Sequence, residues 1–361
     1  MKICVIGTRG FPCVEGGVEK HCELLYPLIA AEEDTQVIVF RRKPYVTAMP
    51  EGFSGVQFVD LPSTKIKGLE AVLHSFLATV KAISLKADVV HIHNIGPALF
   101  APLLRLFSIP VVLTYHSANY EHKKWGFFAK MLLRLCEQIG LRCAEKVIFV
   151  NRFQMEKYPK HLQDKAVYIP NGITQPVKNT GREFLDKLGV EPGKYILSVG
   201  RITPEKGFDT LIKAFAKAKP EDISLVIAGG VEFESGYMQH LQKLSRDLPV
   251  IFTGYVYGDA LAQLYTNAAL FALASHNEGF PLVLLEAMSY ELDIAVSDIP
   301  ATHLVNLEAG DYFPPGNDDA LADVLRKKLG NIHARSYDLK QYNWPEVARQ
   351  TAATLHAAVE K

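Results

Sequence analysis

The sequence has few of the features that mark several large protein classes. No apolar run among its 361 residues reaches the roughly 20 residues that cross a bilayer, so a bundle of membrane-spanning helices is excluded. Its five cysteines, Cys4, Cys13, Cys22, Cys136 and Cys143, are odd in number and none form a Cys-x-x-Cys pair. A disulfide framework is therefore not expected; reduced thiols are. The 39 Lys and Arg balance 39 Asp and Glu without any block of one sign, which excludes an acidic tail or a nucleic-acid-binding arm. Asp-x-Asp, the closely spaced acidic pair usual in metal-dependent diphosphate sites, does not occur. Met1-Lys2 leads directly into an apolar run with no leader pattern, so a cytoplasmic location is expected.

The overall neutrality hides an asymmetry. Residues 1–170 carry 21 basic against 15 acidic side chains, and the remainder 18 against 24. The basic half suits an anionic partner or a membrane surface, but the excess is too small for nucleic acid. The length exceeds that of a usual single core, so two domains are expected. Short apolar runs at 3–6, 37–40, 56–61, 88–93, 110–116, 146–150 and 166–170 alternate with helical patterns, notably 18–31, 69–85 and 127–144. The pattern repeats with strands at 195–200, 223–229, 250–253, 268–274 and 294–297, and helices at 208–219, 238–247, 259–267 and 282–290. Such alternation is the signature of doubly wound α/β domains. The breakers Pro170-Asn171-Gly172 mark a linker. The expected divisions are 1–170, 171–340 and a last helical segment at 341–361.

One stretch organises the rest. Residues 275–288 read Ser-His-Asn-Glu-Gly-Phe-Pro-Leu-Val-Leu-Leu-Glu-Ala-Met, directly after the apolar run 268–274. That is a buried strand, a polar loop and a helix opened by Pro281, whose φ is preset. A helix N-terminus attracts anions, yet Glu278 and Glu286 flank this one. Acids there suit hydroxyls attached to an anion, the combination a nucleotide-sugar offers. The bland alternative is a capping Glu278 and a solvated Glu286, but Glu286 is embedded in apolar residues that would desolvate an idle charge.

In a Rossmann-like order the first and fourth strands of a sheet flank its ligand crevice. The first strand of the second half ends in Gly200-Arg201-Ile202-Thr203-Pro204-Glu205-Lys206-Gly207, bringing Arg201 and Lys206 to the Glu278 loop. A helix opening at Thr203 or Pro204 would put Lys206 against the macrodipole unless an anion were near; a cap at Asp209 would remove that argument. Near the N-terminus, Gly7, Gly10, Gly16 and Gly17 form a glycine-rich loop between strand and helix. It can cradle phosphate, but it does not have the dinucleotide spacing. His91 and His93 alternate in a strand and point the same way; satisfied strand-end histidines explain them better than zinc. His116 ends the next strand, at an edge where it could touch a sugar hydroxyl or relay a proton. Residues 99–107 and 122–146, the latter mixing Lys, Arg, Trp, Phe and Leu, form patterns that fit either an anionic lipid surface or an ordinary surface helix.

Glu278-Gly-Phe-Pro-Leu-Val-Leu-Leu-Glu286 resembles the E-x7-E motif of the retaining glycosyltransferases of family four. Arg201 with Lys206-Gly207, Gly16-Gly17-Val18-Glu19, the strand 113–117 ending at His116 and the turn 169–172 resemble other parts of the same pattern. The resemblance implies the GT-B fold, two Rossmann-like domains facing across a cleft, with the helix after Trp344 crossing back to the first. It implies that Glu278 holds donor-sugar hydroxyls with the backbone at Gly279, Phe280, Pro281 and Leu282, and that Glu286 holds the ribose diol. Arg201 and Lys206 would stabilise the leaving diphosphate, Gly229 would lie at the base, His116 would sit at the reacting sugar, and His116 and Asn119 would line the acceptor side. Gly229-Gly230 departs from the usual Gly-x-Gly at that position. The implied activity is retaining transfer from a nucleotide-diphosphate sugar to a saccharide or lipid-linked acceptor, without a metal or other cofactor. Asn119–Gly126 and the opening Gly-Thr-Arg-Gly-Phe-Pro further resemble enzymes of bacterial surface-polysaccharide synthesis, with peripheral contact at the inner membrane face. An epimerase or phosphorylase of the same fold, or a non-catalytic nucleotide-sugar-binding protein, fits the same residues.

Overall fold

The computed structural model describes residues 1–12, 14, 16–46, 53–64, 66, 68–118, 120, 126–231 and 236–360. Asn119, Cys13 and residues 122–125 of the basic amphipathic stretch lie outside the described residues. The chain divides into two compact units, Met1–Gly172 with Lys340–Lys361, and Ile173–Leu339.

The first unit runs β1 (Lys2–Ile6), α1 (Gly17–Ala30), β2 (Gln36–Arg42), β3 (Val56–Leu61), α2 (Leu69–Ser84), β4 (Val89–His93), α3 (Ala101–Leu106), β5 (Val111–Tyr115), α4 (Phe127–Cys143), β6 (Lys146–Phe149), α5 (Arg152–Met155), α6 (Lys160–Gln163) and β7 (Ala166–Tyr168). Its strands form one parallel sheet in the order β3-β2-β1-β4-β5-β6-β7. Parallel strands buried on both faces need apolar side chains on both, and β1, β4 and β5 are buried at nearly every position. One face is covered by α2, α3 and α4 through Ala78, Ala82, Leu104 and Leu141. The other is covered by α1 and by the last helix, α13 (Trp344–Val359), through Cys22, Leu25, Val347 and Leu355. The C-terminal helix is thus part of this unit's core, and Asn343 caps it by accepting from the Glu346 amide at 2.8 Å.

The second unit contains α7 (Glu183–Leu188), β8 (Tyr195–Val199), α8 (Phe208–Ala218), β9 (Ser224–Ala228), α9 (Gly236–Leu244), β10 (Val250–Gly254), α10 (Gly258–Asn267), β11 (Leu270–Leu273), α11 (Leu282–Ser289), β12 (Ile294–Ser297), β13 (Tyr312–Phe313) and α12 (Asp318–Leu329). The parallel sheet order is β10-β9-β8-β11-β12-β13. The chain therefore reverses its winding between β8 and β11, and between β1 and β4 in the first unit. In doubly wound sheets ligands bind beyond the carboxyl ends of the strands at this point. The short α3, α5, α6 and α7, the 12-residue α12 and the two-residue β13 are absent from the sequence expectations. A buried charge cluster closes the edge: Asp293 and Asp311 each accept from Lys328 (2.7 Å) and from Arg335 (3.1 and 2.7 Å).

Candidate active site

The second unit places the expected donor residues around the β8/β11 switch. Beyond β8 the chain passes Gly200 and Arg201, makes a 3-10 turn at Pro204–Lys206 and enters α8 at Phe208. Gly207 is left-handed (φ +64°), and a Cβ there would lie 2.1 Å from the Ala274 carbonyl oxygen. Only glycine lets the β8 loop lie so close to the end of β11. Gly229, beyond β9, would similarly bring a Cβ within 1.9 Å of the Gly200 oxygen. Backbone bonds tie the loops together: His276 N donates to Glu205 O at 2.8 Å, and Ile202 N to Gly230 O at 2.9 Å.

Lys206 precedes α8 rather than occupying its first turn, so the macrodipole argument for an anion lapses. Its position is explained by charge pairing: Nζ lies 2.6 Å from Glu278 Oε1, with both side chains largely covered. Glu278 Oε1 also accepts from Ser275 Oγ at 2.6 Å. Pro281 stands immediately before α11, in extended conformation, and the helix starts at Leu282. The free amides of its first turn are therefore presented next to the Glu278 loop. Glu286, one turn along, accepts from Tyr265 Oη at 2.9 Å, and Tyr265 stacks on Tyr290 with ring centroids 5.1 Å apart. Burial and the Glu286 charge push the Tyr265 phenol well above its ordinary pKa, so it stays a donor to that carboxylate. Ser275 and Tyr265 are missing from the sequence expectations. Ser275 stands three residues before Glu278, whereas Tyr265 reaches Glu286 from α10 with no signature in spacing.

In the first unit, Gly16 opens α1 and Glu19 turns back to it. A Gly16 Cβ would meet Glu19 Oε2 at 2.1 Å, and Glu19 Oε1 accepts from Arg9 N (3.0 Å) and Nε (3.3 Å). Gly17 has open space around it. The histidines converge. His91 and His93 do point the same way, and both are fully buried. His93 Nδ1 lies 2.9 Å from His116 Nε2, and His21 Nδ1 lies 2.7 Å from Asn171 Oδ1. Burial pulls His21 down to about 4 against the opposing bond to Asn171, and takes His91 to about 3, aided by the His21 charge. His93 and His116 fall well below the ordinary histidine range, again chiefly through burial.

His21, His93 and His116 each offer a nitrogen within 4.8 Å of the others, a spacing that invites a metal. Two nitrogens on one tetrahedral ion at about 2.0–2.1 Å stand about 3.3 Å apart. His93 and His116, at 2.9 Å, are instead at the distance of a direct hydrogen bond. Four described cysteines, Cys4, Cys22, Cys136 and Cys143, are free thiols.

Two parallel doubly wound sheets, with cation, acid and helix terminus assembled at the second switch point, define the GT-B class of sugar transferases. The family described as Glycosyltransferase Family 4 matches residues 15–175, and that described as Glycosyl transferases group 1 matches residues 182–341. The chain is 33% identical over 273 residues to the alpha-galactosylglucosyldiacylglycerol synthase of Streptococcus pneumoniae, covering 71% of each chain. It is 28% identical over 373 residues to the phosphatidyl-myo-inositol mannosyltransferase of Mycobacterium leprae, covering 97% of this chain and 95% of that one. The solved structure of Anabaena HepE with UDP-glucose superposes with a TM-score of 0.78 at 17% identity, over 99% of this chain and all of the other (100%). The chain belongs to the family-four, group 1 glycosyltransferases and is a glycosyltransferase of GT-B fold.

Proposed function

We propose that this glycosyltransferase moves a sugar from a nucleotide-diphosphate donor to a saccharide or lipid-linked acceptor, with retention of anomeric configuration and without a metal ion. The reading is supported above all by the approach of Lys206 and Glu278 beside the start of α11. Glu278 is assigned to donor-sugar hydroxyls, with the backbone at Gly279, Phe280, Pro281 and Leu282. Glu286 is assigned to the ribose diol, and Gly229 to the surface under the base. Arg201 and Lys206 meet the charge that develops on the diphosphate as the bond from the anomeric carbon to the β-phosphate oxygen breaks. That carbon bonds to the acceptor oxygen on the same face, and the acceptor proton passes to the departing diphosphate. Preorganised cations and amides aimed at such charge are the largest single source of catalysis available to a protein. His116 is assigned to the sugar hydroxyls, and Gly16 and Gly17 to donor binding. Metal independence is supported by the missing Asp-x-Asp and by the cationic pair.

Both relatives named above are glycolipid enzymes, and the first unit carries a surface suited to a lipid-linked acceptor. α2, α3 and α4 share one layer, and its outer side exposes Leu69, Val72, Phe76 and Val80 on α2, Leu106 and Phe107 at the end of α3, and Met131 and Leu135 on α4. Phe127 and Phe128 are 77% and 78% exposed. The acid of α4, Glu137, is buried against Tyr115 and Tyr158, so Lys130, Arg134 and Arg142 set the charge of that helix surface. An apolar face rimmed by cations suits anionic lipid, and each phenylalanine buried there contributes about 1.5–3 kcal/mol. This supports peripheral attachment at the inner membrane face in surface-polysaccharide or glycolipid synthesis. No helix among the described residues is long and apolar enough to cross a membrane.

The reaction is tested by NMR of the product anomeric centre, formed from an α-linked nucleotide-sugar with chelator present. An α product supports the reading, and a β product contradicts it. For the surface, Phe127→Glu with Phe128→Glu should abolish sedimentation with phosphatidylglycerol vesicles while leaving transfer to a soluble acceptor intact. Undiminished sedimentation would remove this face from the account.

A further inference from the structure

The histidines of the first unit are linked in one continuous chain of hydrogen bonds. Thr114 Oγ1 lies 2.7 Å from His91 Nε2, and His91 Nδ1 lies 2.9 Å from Tyr26 Oη. Tyr26 Oη lies 2.5 Å from His93 Nε2, and His93 Nδ1 lies 2.9 Å from His116 Nε2. Both ring nitrogens of His91 and of His93 are used, and so are both functions of the phenol. Thr114, His91, Tyr26 and His93 are buried; His116, at 9% exposure, is the most open of the five.

A neutral imidazole has one donor and one acceptor nitrogen, and a hydroxyl has one proton. With the Tyr26 proton engaged, the chain satisfies all four bonds in only two ways, every proton pointing towards His116 or every proton pointing away; were the Tyr26 oxygen to accept from both rings, its own buried proton would have no acceptor among the described residues. The depressed pKa values of these rings agree with neutral imidazoles throughout. Thr114 decides between the two orders. Among the described residues, His91 Nε2 is the acceptor within reach of its hydroxyl. If the protons pointed away from His116, His91 would donate to Thr114, and the Thr114 proton would be buried with nothing to receive it. A buried unmade donor costs about 1–3 kcal/mol, which favours the other order by roughly fivefold to 150-fold.

We propose that Thr114, His91, Tyr26 and His93 act as positioning residues that fix the tautomer of His116. Thr114 donates to His91, His91 Nδ1–H to Tyr26, Tyr26 O–H to His93 and His93 Nδ1–H to His116 Nε2. His116 must then carry its own proton on Nδ1. It offers a ligand a hydrogen-bond donor suited to a hydroxyl oxygen, not the lone pair of a general base. His21 stands outside the chain: its Nδ1–H donates to Asn171 Oδ1. The consequence for transfer rests on the reading that His116 touches the donor sugar, but the proton order itself does not.

The test is nitrogen-15 NMR of histidine-labelled full-length protein at neutral pH, with His116 assigned by its loss in His116→Gln. His116 should show a protonated Nδ1 and a bare Nε2. Thr114→Ser should keep that pattern. Thr114→Val removes the terminal donor, and the intrinsic preference of imidazole for Nε2–H should then move a substantial fraction of His116 to the other tautomer. Donor turnover should fall in the valine variant and return in the serine variant. A wild-type His116 protonated on Nε2 overturns the proposal, whether or not the variants fold. So does an unchanged tautomer in folded Thr114→Val, or stoichiometric zinc in the purified protein. If instead the NMR pattern holds and His116→Gln transfers sugar normally, the role given to His116 fails while the proton order stands.

Discussion

Lys206 Nζ and Glu278 Oε1 stand 2.6 Å apart, so the cation assigned to the diphosphate and the acid assigned to the sugar neutralise each other. Each would otherwise be a largely covered charge without a counter-ion, a costly state. Binding of donor exchanges this pair for two others, the cation with phosphate and the acid with hydroxyls. Glu278 and the diphosphate therefore compete for Lys206. In Glu278→Gln the competition is lost, so a bare nucleoside diphosphate should bind severalfold more tightly while sugar transfer falls about 10²–10³-fold. Calorimetry with UDP, GDP and dTDP, set beside turnover, checks both. Parallel loss of nucleotide binding and transfer would show that Glu278 only holds the loop.

A second prediction compares two left-handed glycines. Gly207 and Gly189 have φ of +64° and +68°, but a Cβ on Gly207 meets the Ala274 oxygen at 2.1 Å, and one on Gly189 meets nothing within 4 Å. Gly189→Ala should cost about 1 kcal/mol of backbone strain and leave turnover intact. Gly207→Ala should cost more and also separate Lys206 from the Glu278 loop, lowering donor turnover at least tenfold. Thermal unfolding and steady-state rates measure the two effects; equal, purely thermal losses would refute the positional role of Gly207.

These loops also show how far the sequence could be read. β8 and β11 are apolar runs buried on both faces, so their existence and their adjacency at the switch point follow from pattern and topology. Pro281 announces α11. The acids and cations are legible as a set because Arg201 and Lys206 lie in the loop after β8 and Glu278 and Glu286 in the loop and helix after β11. The pairing of Lys206 with Glu278 was not, since it depends on a 3-10 turn that delays α8 to Phe208. α12 buries only the narrow stripe Leu321, Ala322 and Leu325 within a charged segment, too weak an apolar period to stand out. The histidine chain joins α1, β4 and β5 across a packed core. Only His91 and His93 carry a local sign of it, because strand alternation puts them on one face.

Three buried histidines, two of that cluster and His74 of α2, give a pH dependence. His21, His74 and His91 fall from the ordinary value of 6.5 to about 4, 4 and 3, with burial the largest cause in each. Below 6.5 the unfolded chain takes up protons that the folded chain does not, so stability must fall as pH falls from about 6.5 towards 4. The loss approaches about 1.4 kcal/mol per pH unit for each such histidine. Unfolding midpoints at pH 7.5, 6 and 5 should decline, and His91→Gln should flatten the slope. A profile without slope over that range contradicts the assignment of neutral buried rings.

The central claim is that Arg201, Lys206 and Glu286 form one donor site that works without metal. Its most direct test is donor turnover in excess EDTA by the wild type and by Arg201→Ala, Lys206→Ala and Glu286→Ala, each first shown to unfold at the wild-type temperature. The account predicts wild-type activity unaffected by chelator and a loss of about 100-fold or more in each variant. Full activity in all three variants, or wild-type activity abolished by EDTA and restored by Mg²⁺, would contradict it.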